Sequence, residues 1–352
     1  MNPSWQIPPH AIGLAQYDAI IDTRTPAEFA QDHIPGAINC PVFSNDERAR
    51  VGTLYKQVSP FEARKLGATL VARNVADHIT QHFHSYPKHW RPLVYCWRGG
   101  QRSGAMQIIL RQIGWQADKL AGGYKAFRHH VIEQTANIAP HLRWHILCAA
   151  TGSGKTRILQ AIAAQGGQVL DLEKLAAHKG SVLGAVPHTP QPSQKAFETA
   201  IWQQLQRFNP ALPVFAEAES RKIGNLQIPE PLLLPLRSGH CIDIEASTAA
   251  RVDFLLRDYP YLQQDTATLT AQLTRLKERL GRQTIADWEA LIERQQWPEL
   301  VNELLAKHYD PLYRQSQHKN YQGTRACAPI ACNDLSDTGI AAIAQQILAS
   351  CQ

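Results

Sequence analysis

Two stretches of this sequence carry residue types whose spacing can do chemistry. In the first, Tyr95 leads into Cys96-Trp97-Arg98-Gly99-Gly100-Gln101-Arg102-Ser103. A thiol between the end of an apolar strand and the start of a helix sits where backbone N–H groups and the helix dipole favour an anion. Arg98 and Arg102 add positive charge, and each influence lowers a thiol pKa toward the reactive thiolate. Gly99 and Gly100 let the loop curl. The chemistry that suits it is nucleophilic attack on a sulfur, selenium or phosphorus centre, with an oxyanion held by Arg98, Gly99, Gly100, Arg102 and Ser103. An isolated cysteine at a strand end would be packing; the loop around Cys96 is what argues for chemistry.

The second stretch is Ala149-Ala150-Thr151-Gly152-Ser153-Gly154-Lys155-Thr156. It matches Gly-x-x-x-x-Gly-Lys-Ser/Thr except that Ala149 replaces the first glycine. Backbone N–H groups of Gly152, Ser153, Gly154 and Lys155 can wrap a phosphate, Lys155 can neutralise it, and the Thr156 hydroxyl suits Mg²⁺. A metal would need an acid. Val214-Phe215-Ala216 runs into Glu217 with Glu219 beyond it, and Val169-Leu170 runs into Asp171 and Glu173. Asp171 or Glu217 is expected near the phosphates, at the metal or just behind it; the requirement for Mg²⁺ stays open. Cys327 and Cys332 lack a second ligand pair, which argues against zinc.

Three polar clusters follow strands: His178-Lys179-Gly180-Ser181, Gln191-Pro192-Ser193-Gln194-Lys195 and Ser220-Arg221-Lys222. Ligands bind at the C-terminal ends of strands in α/β sheets. His178, Lys179, Gln194, Lys195, Arg221 and Lys222 are therefore candidate substrate or RNA contacts, and Arg221 and Lys222 suit phosphates. A solvated surface is the competing reading for each.

The elements that must hold these loops alternate. Ala19–Asp22, Ile38–Val42 and Pro92–Tyr95 read as strands, with helices from Pro26, over 61–84 and over 103–113. In the last, Met106, Ile109, Leu110 and Ile113 share a face. The pattern restarts with strands at 144–148, 169–171, 213–216 and 241–244. Pro187–Pro192 and Pro229–Pro235 read as surface loops. Residues 249–313 read as mostly helical, with Leu269, Leu273, Leu276 and Leu280 as a core stripe. This is an α/β chain with parallel sheets covered by helices on both faces. The expected organisation is a domain over 1–135, a linker over 136–140 and a second domain over 141–352.

The chain has 352 residues, enough for two domains. Its 44% hydrophobic and 19% charged residues exclude disorder. The seven cysteines argue for free thiols in a reducing compartment, the cytoplasm. No secretory leader is read in Met1 to Pro9, and no apolar run is long enough for a membrane span. The net charge of +6 permits a polyanionic partner. Residues 1–140 hold 15 of the 36 Lys/Arg and 10 of the 30 Asp/Glu, so nearly all of the excess lies there.

The first domain resembles a rhodanese module over about residues 10–130. The resemblance rests on Ile21-Asp22-Thr23-Arg24-Thr25-Pro26-Ala27-Glu28-Phe29, His33-Ile34-Pro35-Gly36-Ala37-Ile38-Asn39, the Cys96 loop and Leu120-Ala121-Gly122-Gly123-Tyr124. Joined to a P-loop domain, it makes the whole chain resemble the tRNA 2-selenouridine synthase family. Leu170–Glu173, His178–Ser181, Gln191–Lys195, Glu217–Gly224 and His308–Tyr313 extend that likeness, with Lys179 where an arginine is expected. The resemblance implies replacement of sulfur by selenium at the 2-position of the wobble uridine, with the tRNA anticodon arm as partner. It also implies selenophosphate and geranyl diphosphate as co-substrates and no tightly bound cofactor. Cys96 would receive or deliver selenium, while Lys155 and Thr156 would stabilise the leaving diphosphate. Competing readings are a rhodanese-fold phosphatase or sulfurtransferase fused to an ATP-dependent kinase-like module, and a non-catalytic RNA-binding adaptor.

Overall fold

The computed structural model describes residues 14–181, 183–321 and 328–351; Cys327 and the first nine residues lie outside them. The chain divides into two compact units, 1–134 and 135–352.

The first unit is built on a four-stranded parallel sheet. Its strands are β1 (Ala19–Asp22), β2 (Ile38–Asn39), β3 (Pro92–Tyr95) and β4 (Asp118–Lys119), ordered β2-β1-β3-β4. The helices are α1 (Pro26–Gln31), α2 (Asn45–Gln57), α3 (Pro60–His78), α4 (Gln101–Ile113) and α5 (Gly123–Ile138). Three start on sequence-encoded caps. Thr25 and Glu28 close a capping box on α1, Ser44 and Glu47 close another on α2, and the Ser59 hydroxyl accepts two N–H groups at the start of α3. Helix α2 is absent from the sequence-based expectation, because its buried side is too sparse to show a period. The expected strand to Val42 stops at Asn39, since Pro41 brings no N–H. Cys40 and Val42 still donate to the carbonyls of Asp22 and Thr23. Ile21, Val42, Val94, Met106 and Leu110 form the core with Phe83, Trp90 and Trp115. Ile113, expected on the buried face of α4, is exposed.

The expected linker is helical. Thr135 to Ile138 contain no breaker and finish α5, and Pro140 sits in the first turn of a 3₁₀ segment, Ala139–His141.

The second unit has a five-stranded parallel sheet. In chain order its strands are β5 (Arg143–Ala149), β6 (Gln168–Leu170), β7 (Pro213–Glu217), then a β8–β9 hairpin (Lys222–Ile223, Leu226–Gln227) outside the sheet, β10 (His240–Glu245) and β11 (Ile330–Ala331). The sheet order is β11-β10-β5-β7-β6, so β5 is central. Between them run α6 (Lys155–Ala164), α7 (Leu172–Ala176), α8 (Gln194–Leu205) and α9 (Glu230–Ser238), and α17 (Asp337–Ser350) closes the chain. Alternation along β5 feeds two cores. Trp144, Ile146 and Cys148 pack with α8 and α9; Leu147 and Ala149 pack with α6 and α17. Helix α9 replaces the loop expected at Pro229–Pro235. Pro231 lies in its first turn, where a missing N–H costs nothing, and burial of Leu232, Leu233 and Leu236 offsets the break at Pro235.

A helical region follows β10: α10 (Thr248–Asp258), α11 (Pro260–Gln264), α12 (Thr266–Thr274), α13 (Lys277–Leu280), α14 (Arg282–Glu293), α15 (Trp297–Leu304) and α16 (Asp310–Asn320). Leu269, Leu273 and Leu276 are buried with Trp288, Leu300 and Leu304. A π-helical stretch, Leu305–Tyr309, joins α15 to α16. No described helix is long and apolar enough to cross a membrane.

Candidate functional sites

Cys96 follows β3 directly and is 3% exposed. Its Sγ accepts hydrogen bonds from the Gly100 N–H and the Ser103 hydroxyl, both at 3.2 Å. Burial by itself would raise the thiol. The Ser103 hydroxyl and the N–H groups of Ser103, Gly100 and Arg98 outweigh it and hold Cys96 below its ordinary value. Neutral dipoles therefore do what the arginine charges were expected to do. Arg102 is turned onto Glu28, at 2.6 and 3.2 Å, and Glu28 is the capping-box acid of α1. The Arg98 side chain is exposed; its contribution to the thiol is its backbone.

A second turn fixes the loop. Gly99 and Gly123 both have positive φ, and a Cβ on Gly123 would run into the Cys96 carbonyl and the Gly99 nitrogen. This close approach lets Tyr124 and Lys125 donate to the carbonyls of Cys96 and Trp97, at 2.8 and 2.9 Å. Below it lies a buried ion pair. Arg24 forks onto Asp22, donates to the Asp32 carbonyl and stacks under Tyr124, whose hydroxyl donates to Asp32. Beside Cys96 is an open cleft of about 590 Å³, whose exposed Arg48 and Lys56 come from α2. The sequence reading missed these two cations with their helix; the Ser44-x-x-Glu47 box was the available clue.

The phosphate loop leaves the central strand. Ala149 is the last residue of β5 and points into the core, so the position needs no glycine. Gly152 does need one: its φ is +84°, and a Cβ would meet the Leu255 side chain and the Arg251 carbonyl. Lys155 is folded back, donating to the Ala149 carbonyl at 2.7 Å. Arg251 donates to the Thr151 carbonyl and forks onto Asp310. The helical region is thereby tied to the loop, a clamp that sequence reasoning found only as the quoted His308–Tyr313 likeness.

Four carboxylates stand behind and beside the loop. The Thr156 hydroxyl donates to Glu173 at 2.7 Å, and the Glu173 N–H donates to Glu217 at 3.0 Å. Glu217 is 1% exposed and its second oxygen has no partner among the described residues. Asp171 caps α7 through the Lys174 N–H. The cavity itself, about 450 Å³, is lined instead by Glu173 and Glu219, with the loop, Lys179 to Ser181, Asp258 and Tyr313. Asp171 and Glu217 thus stand one layer back. Burial, followed by mutual repulsion, pushes Glu217 well above the usual carboxylate range and Glu219 up to about 8. Burial also raises Glu173, against the pull of Thr156 and Lys155.

The polar clusters divide. Lys179 reaches the cavity but is held by Asp258 at 2.6 Å and by the Tyr259 ring. Gln191 and Gln194 clasp the β8–β9 hairpin through its backbone, a structural task. His178 sits in an isolated bridge with Ala185, Lys195 is half-buried at the start of α8, and Arg221 and Lys222 are exposed.

Residues 142–329 match the model of the tRNA 2-selenouridine synthase AAA domain, and residues 11–130 that of the rhodanese-like domain. The chain is 32% identical to a tRNA 2-selenouridine synthase of Bdellovibrio bacteriovorus, over 87% of this chain and 92% of that protein. It is 33% identical to one of Alcanivorax borkumensis, over 87% and 93%. Against one of Nitrosomonas europaea the identity is 38%, over 68% of this chain and 63% of that protein. With these two models on its two units and these relatives along most of its length, the chain belongs to the tRNA 2-selenouridine synthase family.

Proposed function

We propose that the protein converts 2-thiouridine at the tRNA wobble position to 2-selenouridine, with selenophosphate as selenium donor and an S-geranyl intermediate made from geranyl diphosphate. The observation that carries this reading is the presence, in one chain of this family, of a cysteine whose thiol is held below its ordinary pKa and of a phosphate-type loop. In the first stage the thiocarbonyl sulfur attacks C1 of the geranyl group, the C–O bond breaks and diphosphate leaves. The loop N–H groups and Lys155 hold that leaving group, Lys155 exchanging the Ala149 carbonyl for phosphate oxygens. Thr156 and Glu173 offer hard oxygen ligands, and with phosphate oxygens they would hold Mg²⁺, which would neutralise developing charge.

In the second stage Cys96 handles the selenium donor. A redox-neutral route has the thiolate attack phosphorus, forming an S–P bond and releasing hydroselenide; water then returns the thiol and phosphate. Hydroselenide adds at C2 of the uridine and geranylthiol leaves. The N–H groups around Cys96 would hold the phosphoryl oxygens. The basic excess of the first 140 residues, with Arg48 and Lys56 beside Cys96, suits an approach of the anticodon arm there, in the cytoplasm.

The test is nucleoside mass spectrometry of thiolated tRNA after incubation with selenophosphate and geranyl diphosphate. S-geranyl-2-thiouridine and then 2-selenouridine are expected. Turnover of ATP without tRNA, or phosphate release from generic phosphoesters with no modified nucleoside, would replace this reading by the kinase-like or phosphatase one.

A further inference from the structure

The cavity at the phosphate loop has a neighbour. A second pocket, of about 70 Å³, shares Thr151, Ser181, Leu255, Tyr259 and Tyr309 with it. Beyond that shared mouth the walls are apolar: Leu183, Leu256, Leu269, Leu300, Leu304 and Leu305 among them. The one amide inside, Gln263, is turned to the Leu256 carbonyl at 3.2 Å. A nucleobase carries ring nitrogens and exocyclic groups that need partners, and this lining leaves them bare. A hydrocarbon chain needs none. Trp297 and Gln263 line both this pocket and the open cleft on α11, α12 and α14, and Trp297 is the bulkier of the two shared residues.

We propose that this pocket seats the far end of the hydrocarbon tail of the diphosphate co-substrate, and that Trp297 sets the longest tail accepted. The inference rests on the reading above, in which a prenyl diphosphate is used. The headgroup occupies the loop, the first carbons run along Phe254, Leu255 and Leu312, which line the larger cavity, and the end enters the pocket. Its volume is about half of the ~150 Å³ that takes up benzene, so it admits the end of a chain and not a whole one. Each methylene buried there is worth about fourfold in affinity.

The test measures binding of inorganic diphosphate and of dimethylallyl, geranyl and farnesyl diphosphates to the full chain by calorimetry. In the parent protein geranyl diphosphate is expected to bind at least about tenfold more tightly than the dimethylallyl ester and than farnesyl diphosphate. Val301→Trp, on the half-buried wall, should remove the advantage of the geranyl ester while leaving inorganic diphosphate unchanged. Trp297→Ala should shift the preference toward farnesyl diphosphate by at least about tenfold. Thermal melts show that each variant is folded, and the two act in opposite directions, so loss of one leaves the other decisive. Folded variants that bind inorganic diphosphate and keep the parental order of chain lengths would overturn the pocket alone. A parent protein that binds inorganic diphosphate and no prenyl ester more tightly would overturn the functional reading with it.

Discussion

The thiol loop and the phosphate loop both leave the end of a parallel strand, and their surroundings are opposite. At Cys96 the stabilising groups are neutral, a hydroxyl and three N–H groups, while Arg102 spends its charge on Glu28. At Lys155 a cation is folded onto a carbonyl amid carboxyls whose pKa values burial and repulsion raise. The first site is poised before any substrate arrives. The second has its lysine turned back onto a backbone carbonyl. On the proposed reaction, the nucleophile must be ready in the free protein, whereas the leaving group needs help only once it is bound.

The sharpest way to break this comparison is to remove each centre. Cys96→Ala should abolish 2-selenouridine formation and leave S-geranylation intact. Lys155→Ala should slow geranylation by about a hundredfold or more, with the nucleosides counted by mass spectrometry. In Lys155→Ala both products should fall together, because selenation follows geranylation; loss of S-geranylation in Cys96→Ala would mean that the sites do not divide the reaction. Next in size is Ser103→Ala, which removes the leading stabiliser of the thiolate. The pH midpoint of Cys96 alkylation should rise, and Arg102→Gln should move it far less. Equal shifts would return the arginine to the role the sequence suggested. A third test varies salt: tRNA affinity should fall steeply between low and physiological ionic strength, more so than in an Arg48→Gln/Lys56→Gln double variant. The smallest effect concerns Glu219. Its carboxyl is raised from the ordinary 4.5 to about 8, so the stability it adds is complete below pH 4.5 and lost as pH rises through about 8. Glu219→Gln should flatten the fall of Tm over that window; an unchanged slope would place the raised carboxyl elsewhere.

Much of this was legible in the sequence because it depends on local patterns. The apolar runs before Cys96 and Ala149 mark strands, and the glycines after them mark the turns that expose the loops. What escaped depends on partners distant along the chain. Nothing near Arg102 shows that Glu28 claims it, and nothing near Thr151 shows that Arg251 holds its carbonyl. Which acids line the cavity was hidden for the same reason. Glu217 ends its strand as expected, but the pleat points it inward to the Glu173 N–H, and the next carboxylates in line reach the cavity. Helix α2 was lost because its surface is polar on most sides, though its cap was in plain view.

The interlock of Gly99 and Gly123 bears on how this thiol can be inherited. A side chain at Gly123 would push against the backbone of the very loop that presents the sulfur, so a residue with no reactive group is as binding a requirement as the cysteine. A lineage that relaxed it could not restore the loop by adjusting Cys96 or its immediate neighbours. One of the two turns would have to draw back, and with it would go the hydrogen bonds that Tyr124 and Lys125 give to the loop.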